Sequence, residues 1–302
     1  MNILVYLLLF VGVHGTDLEL SPQMDDPGGV FDGRNAQPGE APYMVSIQLS
    51  YRESGHFCGG CLITASYILT AAHCFKYMNR HVLKHLIVVI HDLDSTYRSG
   101  SKNRQIGKSN GVYLHSKYNG SEYDIAILKL RKPFRLDSLT KTVQIANHSF
   151  PNGQPCLVIG WGRRVNNDHH STILQIATVR IDRELTCIER NPKTEICAGN
   201  LEGGADICVG DSGGPLICEN QLVGIVSRGI QPCAQPLIGT VFTNVTAYRG
   251  WIDTSLKMLE EISSRNLRNV NSFVMDGACM LYTNVLFALY YYQLCRLYGV
   301  VH

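Results

Sequence analysis

Short apolar segments separated by polar turns dominate the chain from Tyr43 onward. Clusters of glycine, proline, asparagine and serine lie between them, which is typical of turns that join short strands. The apolar segments are Met44–Leu49, Leu86–Ile90, Ile125–Leu130, Cys156–Trp161, Leu222–Val226 and Thr240–Val245. This pattern favours an all-β sandwich or barrel. A helical period occurs only late, where Ile252, Leu256 and Leu259 fall on one face.

The N-terminal residues differ from this strand-rich region. An uncharged apolar run, Ile3–Val13, is followed by a small residue, Gly15, although the usual basic start is missing. The run is too short to span a bilayer comfortably, so residues 1–15 are interpreted as a signal peptide rather than an anchor. Residues 16–29 are acidic, contain proline and glycine and lack an apolar period, which indicates a propeptide or linker.

The C-terminal extension, residues 263–302, contains an uncharged stretch rich in leucine and tyrosine at residues 277–295. Its length suits a membrane span or the removable tail of a lipid-anchor signal. Asn284, Gln293 and the tyrosines weaken that pattern. An inert disordered extension and an error in the predicted gene end are the alternatives. Membrane attachment through this extension is the less favoured interpretation, and its role is left open.

Composition narrows the class of protein. The 302 residues, 45% of them hydrophobic, predict one large or two small domains. With 27 basic and 25 acidic residues, the chain offers no electrostatic basis for binding nucleic acid. Eleven cysteines are typical of an oxidising compartment, so we predict a secreted, extracellular protein.

The segment Gly210–Pro215 carries the first candidate chemistry. Its sequence is Gly-Asp-Ser-Gly-Gly-Pro, and so many glycines cost conformational entropy on folding. A tight turn there would expose the Ser212 hydroxyl and aim the amides of Gly210 and Ser212 at one point, as a nucleophile beside an oxyanion hole requires. Alone, the segment fits a glycine-rich surface loop equally well.

Two further segments decide between these interpretations. His73 follows the apolar run Leu69–Ala72, and Asp124 precedes the strand pattern Ile125–Leu130. Each alone is typical of a packed core histidine or a solvated strand end. Together, in the order His, Asp, Ser, the three segments resemble the chymotrypsin-like serine proteases over residues 30–262. The resemblance implies two six-stranded antiparallel β-barrels with the active site between them and a C-terminal α-helix.

The resemblance also implies the role of each residue. Ser212 is the nucleophile, His73 the general base and then acid, and Asp124 the group that orients the imidazole. The amides of Gly210 and Ser212 form the oxyanion hole. The substrates are proteins or peptides, and serpin- or Kunitz-type inhibitors are candidate partners. No cofactor is implied, and because calcium-loop carboxylates are not evident between Ile90 and Gln105, no metal is assigned.

Activation in this family pairs the buried Asp211 with a new α-amino group, which would be that of Val30. Pro38–Tyr43 identifies the mature start as Val30–Gly33. However, the preceding residue is Gly29, and residues 16–29 contain no lysine or arginine. A trypsin-like activator therefore has nothing to cut at the expected place.

Substrate preference is implied by residues flanking the nucleophile. Asp206 aligns with the acid at the bottom of the trypsin pocket, which selects lysine or arginine. The segment from Ser227 to Gly229 aligns with the strand that pairs with the substrate backbone. Thr240 replaces a pocket-wall glycine, and its added atoms would hinder long side chains. Arg228 replaces a large aromatic residue, and its charge would repel basic substrate residues or reach towards Asp206.

The cysteine pairs also follow from the resemblance, since spacing alone does not give connectivity. The implied disulfides are Cys58–Cys74, Cys156–Cys218, Cys187–Cys197 and Cys208–Cys233. Cys61 is expected to be a buried free thiol. Cys279 and Cys295 would pair with each other or with another chain.

The chain contains three sequons for N-linked glycosylation. Asn119 and Asn147 lie in expected loops and are candidate glycan sites, whereas Asn244 ends a presumed strand.

The rival to a Lys/Arg-specific endopeptidase is a latent or weakly active homologue that acts as a binding or regulatory protein. Gly29, Thr240 and Arg228 favour the rival. The complete set of His, Asp and Ser favours the enzyme.

Overall fold

The computed structural model describes residues 33–50, 55–96, 101, 103–162, 171–187, 190–204, 207–264 and 274–275. Several features expected from the sequence lie outside these residues. They are the signal peptide, the propeptide, Val30, Asp206, the apolar stretch 277–295, Cys279 and Cys295.

The described residues form fifteen strands and few helices. The strands are β1 Arg34–Asn35, β2 Met44–Leu49, β3 His56–Thr64, β4 Tyr67–Thr70, β5 Leu86–Ile90, β6 Gln105–Leu114, β7 Ala126–Leu130, β8 Gln144–Ile145, β9 Pro155–Gly160, β10 Gln175–Ile181, β11 Glu195–Gly199, β12 Pro215–Cys218, β13 Gln221–Arg228, β14 Thr240–Asn244 and β15 Val274–Met275. The helices are α1 Arg80–Leu83, α2 Arg249–Ser264 and a 3-10 turn at Ala72–Cys74. Within these residues no helix is long and apolar enough to cross a bilayer.

Six strands close the first barrel in the order β6-β5-β2-β3-β4-β7, with β6 pairing back to β7. All six pairings are antiparallel. The two-residue strand β15 adds to β6 in parallel outside this ring. Closure removes the exposed sheet edges that would otherwise template aggregation.

The second barrel closes through β10-β11-β14-β13-β12-β9, with β9 pairing back to β10. The short strands β1 and β8 pair with β10 and β13 but are not part of the closed ring. The prediction of two six-stranded antiparallel barrels is therefore confirmed. The predicted apolar segments became β2, β5, β7, β9, β13 and β14.

Helix α2 confirms the late helical period. Ile252 and Leu259 are fully buried against the larger core cluster, and Leu256 packs beside them. Met258, between these positions, faces outward. The apolar stripe thus fixes the helix against the barrels.

The three sequons differ in their surroundings. Asn119 and Asn147 are exposed and lie outside strands and helices, whereas Asn244 is the last residue of β14 and is partly buried. The side-chain oxygen of Asn244 accepts hydrogen bonds from the amide and hydroxyl of Thr246. Glycosylation of Asn119 and Asn147 stays a prediction.

Candidate active site

His73 lies in the 3-10 turn that follows β4, between buried Ala72 and Cys74. Its backbone amide donates to Asp124 Oδ1 at 2.8 Å, and its ring Nδ1 lies 2.7 Å from Asp124 Oδ2. A carboxylate only accepts hydrogen bonds, so Nδ1 carries the proton and Nε2 of the neutral ring has a free lone pair. The His73 side chain is 30% exposed, which leaves Nε2 accessible from the cleft.

Asp124 is nearly inaccessible to solvent and is hydrogen-bonded from both barrels. Besides the two His73 bonds, its Oδ2 accepts from the Ser227 hydroxyl of β13 at 2.7 Å. The Thr243 hydroxyl of β14 donates to the Asp124 carbonyl at 2.8 Å. Several donors compensate the desolvation of this buried carboxylate.

Ser212 lies in a tight turn between the barrels. Gly210 and Gly213 adopt φ values of 107° and 78°, which residues with a Cβ rarely reach. The Ser212 carbonyl accepts from the Gly59 amide of β3 at 2.8 Å, which ties the turn to the first barrel. Ser212 Oγ has no hydrogen bond to any described residue, so its contact with His73 stays a prediction.

The amides of Gly210 and Ser212 make no hydrogen bond to described backbone, as an oxyanion hole requires. A residue missed by the sequence analysis, His56, holds this turn. Its Nε2 donates to the Gly210 carbonyl at 3.0 Å, and its Nδ1 lies 2.7 Å from Ser46 Oγ. Because the carbonyl only accepts, Nε2 carries a proton, and Nδ1 is hydrogen-bonded with the Ser46 hydroxyl. A lone histidine before a cysteine gave no sequence signal for this role.

Asp211 is completely buried beneath the same turn. Its Oδ1 accepts from the Gly162 amide at 2.7 Å and its Oδ2 from the Cys208 amide at 2.9 Å. A Cβ added at Gly160 or Gly162 would overlap the Asp211 carboxylate. These glycines therefore provide the space that the carboxylate occupies. The expected partner of Asp211, Val30, lies outside the described residues.

Four disulfides form among the residues that the structure describes, and they are the pairs that the resemblance implies. They are Cys58–Cys74, Cys156–Cys218, Cys187–Cys197 and Cys208–Cys233. The first joins β3 to the residue after His73. Cys61 is a buried free thiol, as expected, and burial raises its pKa. His73 and the sulfurs of Cys58 and Cys74 lie close together, but disulfide sulfurs are not thiolate ligands for a metal.

Comparison with known proteins decides the family. The model of the family described as Trypsin matches residues 30–252. The chain belongs to this family of serine endopeptidases. Trypsin I-P1 of Gallus gallus is 36% identical over 259 residues, covering 83% of this chain and 97% of its own length.

Two further relatives agree with this assignment. Cationic trypsin-3 of Rattus norvegicus is 33% identical, covering 82% of this chain and 98% of its own length. The solved structure of neuropsin, a serine protease expressed in the limbic system of mouse brain, has a TM-score of 0.65 and 30% identity. That match covers 74% of this chain and 98% of neuropsin. As a trypsin-family endopeptidase, the protein acts on protein or peptide substrates.

Thr240, which the resemblance places at the wall of the specificity pocket, lies beside Gly229. Thr240, the first residue of β14, is buried. Its Oγ1 lies 3.2 Å from the position that a Cβ on Gly229 would occupy. The threonine hydroxyl therefore lies beside Gly229, whose missing side chain leaves room for it. Ile207, next to the undescribed Asp206, is buried, and Cys208 and Cys233 brace the segment.

Arg228, which was predicted to repel basic substrate residues or to reach towards Asp206, is paired with a carboxylate. Its Nη1 and Nη2 donate to Glu195 Oε1 and Oε2 at 2.7 and 3.0 Å. This paired guanidinium does not present a bare positive charge that would repel basic substrate residues. The partner, Glu195, begins β11 and is far from Arg228 in sequence, so nothing in the sequence pattern pointed to it.

Gly162→Ala should displace Asp211 because the new methyl group overlaps its carboxylate. We expect about 1–3 kcal/mol of destabilisation from overpacking, together with a large loss of peptidase activity. Denaturant unfolding and active-site labelling measure the two effects.

Gly250→Ala is the matched control. Gly250 lies at the start of α2 with open space around it, so alanine should stabilise the helix by about 0.5–1 kcal/mol and leave activity unchanged. If Gly162→Ala is as stable and active as this control, the space around Asp211 is not required.

Proposed function

We propose that this protein is a secreted endopeptidase that hydrolyses peptide bonds after lysine or arginine through an acyl-enzyme on Ser212. The protease domain comprises residues 30–262, and activation forms a pair between Asp211 and the α-amino group of Val30. The contacts of Asp124 with His73 and Ser227, beside the Ser212 turn, carry this proposal. The disulfides fit an oxidising compartment. Family membership favours the enzyme over the binding-protein alternative.

Each catalytic group has a defined role in the proposed reaction. His73 Nε2 takes the Ser212 proton as Oγ attacks the scissile carbonyl, and Asp124 stabilises the imidazolium that forms. The amides of Gly210 and Ser212 stabilise the oxyanion, and one such donor typically contributes about 3 kcal/mol. The imidazolium then protonates the leaving amine, and water repeats the sequence to release the acid.

Ser212→Ala should abolish labelling by an organophosphonate probe and lower turnover by several orders of magnitude, because the nucleophile is gone. Ser66→Ala, in the turn between β3 and β4, is the control and should label normally. Labelling of Ser212→Ala at the wild-type rate would falsify the assignment.

Asp206 and Thr240 should have opposite effects on cleavage after lysine or arginine. Asp206→Ser should remove the basic preference, because the cationic side chain loses its carboxylate partner. Thr240→Gly should raise kcat/KM for Lys/Arg substrates by enlarging the pocket. Thr178→Gly, at an exposed position of β10, controls for glycine in a strand. Equal wild-type cleavage after Leu or Phe would show that Asp206 does not set the preference.

Gly29→Arg should make the protein activatable by trypsin, because cleavage then begins the chain at Val30. The new amino group pairs with the buried Asp211, and in the proposed activation this pairing shapes the oxyanion hole. N-terminal sequencing and active-site titration before and after trypsin are the measurements, with Gly29→Arg/Ser212→Ala as the inactive control. A correctly processed but inert Gly29→Arg protein would reject the endopeptidase proposal in favour of a binding protein.

A further inference from the structure

A polar network occupies the edge of the cleft beside Ser227. Its centre is the ion pair of Arg228 with Glu195, in which two parallel N–H···O bonds fix the guanidinium plane. The Glu195 side chain is 3% exposed and that of Arg228 is 23% exposed. The pair is therefore largely desolvated, but the guanidinium reaches the surface.

The network joins both barrels. Glu195 Oε2 also accepts from the Asn191 amide at 2.7 Å, and Asn191 Nδ2 donates to Glu122 Oε1 at 2.8 Å. Arg228 Nη1 lies 3.4 Å from the Ser121 carbonyl, next to Glu122. We call these five residues the rim network. Its members are held by several contacts, so the surface that it presents is rigid.

The rim network borders the catalytic residues. Arg228 follows Ser227, whose hydroxyl binds Asp124, and precedes Gly229, which lies beside Thr240. On the proposed function, on which this inference rests, the segment Ser227–Gly229 pairs with the substrate backbone, so the residues preceding the cleaved lysine or arginine lie beside Arg228.

The ion pair makes this surface polar but electrically compensated. An apolar side chain placed over it would gain little, because it removes water from charged groups without offering hydrogen bonds in return. A lysine or arginine placed there is not repelled, because the Glu195 carboxylate offsets the guanidinium charge.

The geometry points to the Arg228–Glu195 pair as a specificity determinant of the endopeptidase. It directs selection of the substrate residues on the amino side of the cleaved basic residue. Polar side chains of either charge are accepted there in preference to apolar ones.

A peptide library tests this on the activated wild-type protein. The library varies the cleaved residue and the three residues before it, and kcat/KM is measured for the cleaved sequences. We expect Gln, Lys and Glu at the upstream positions to be cleaved at least as well as Leu or Phe. A preference of about tenfold or more for apolar residues, the size of a good hydrophobic subsite, would overturn the inference.

Two variants separate charge from polarity. Glu195→Gln keeps the shape but exposes the Arg228 charge, so the ratio of kcat/KM for upstream Lys over upstream Glu should fall about two- to fivefold, as for a partly exposed charge pair. Arg228→Met/Glu195→Met replaces the pair with flexible apolar side chains and should raise the ratio for upstream Leu over Gln about five- to tenfold. Asp253→Asn, which removes one carboxylate of the surface pair with Arg249 on α2, should change neither ratio.

Active-site titration normalises each rate to folded enzyme, so poor folding of a variant does not alter the ratios. Unchanged ratios in both variants would overturn the inference. Cleavage after residues other than Lys or Arg would contradict the proposed specificity instead, and the upstream positions of the same library would still report on the ion pair. If a variant yields no folded protein, the wild-type library decides.

Discussion

A carboxylate buried between two barrels must have hydrogen-bond donors on every side, and Asp124 obtains them from both barrels. His73 in the first barrel donates through its amide and its ring, and Ser227 in the second donates through its hydroxyl. A displacement of either barrel would leave part of this charge without a donor, at a cost of several kcal/mol. The same bonds that satisfy Asp124 therefore hold the histidine ring in one tautomer and align the two halves of the cleft.

A second buried carboxylate applies the same constraint to the serine turn. Asp211 occupies space that exists only because Gly160 and Gly162 have no side chains. Its neighbours Gly210 and Gly213 adopt positive φ, which turns the chain sharply on both sides of Ser212. The glycines thus have two separate purposes, conformational freedom in the turn and room for the buried charge. Their cost in chain entropy is offset by the packing that they permit.

Sequence patterns predicted the parts of the fold that depend on local chemistry. Strand β5 is a continuous apolar run because both its faces are buried, and it was recognised directly. Strand β6 was missed, because its alternating buried positions include Gly107 and Ser109, which are not apolar, so the alternation is not visible in the sequence. The motif around Ser212 predicted a tight turn, because a run of glycines costs conformational entropy and therefore indicates a backbone that requires them. His56 and Glu195 were not predictable in this way, because their partners lie far away in sequence and no periodicity connects them.

Arg228 illustrates why a charged residue at a cleft is best interpreted together with its ion-pair partner. Arg228 considered alone is a large charge beside the substrate path, and it favours a protein that has lost its activity. Paired with Glu195, the charge is compensated within the second barrel, and the guanidinium is oriented by a carboxylate that is itself bound by the Asn191 amide. Removing only one partner would leave the other charge buried without compensation, which is costly, whereas the two together form a stable surface. The pair therefore changes what the cleft offers to a substrate without disturbing Ser227, whose hydroxyl still binds Asp124 one residue away.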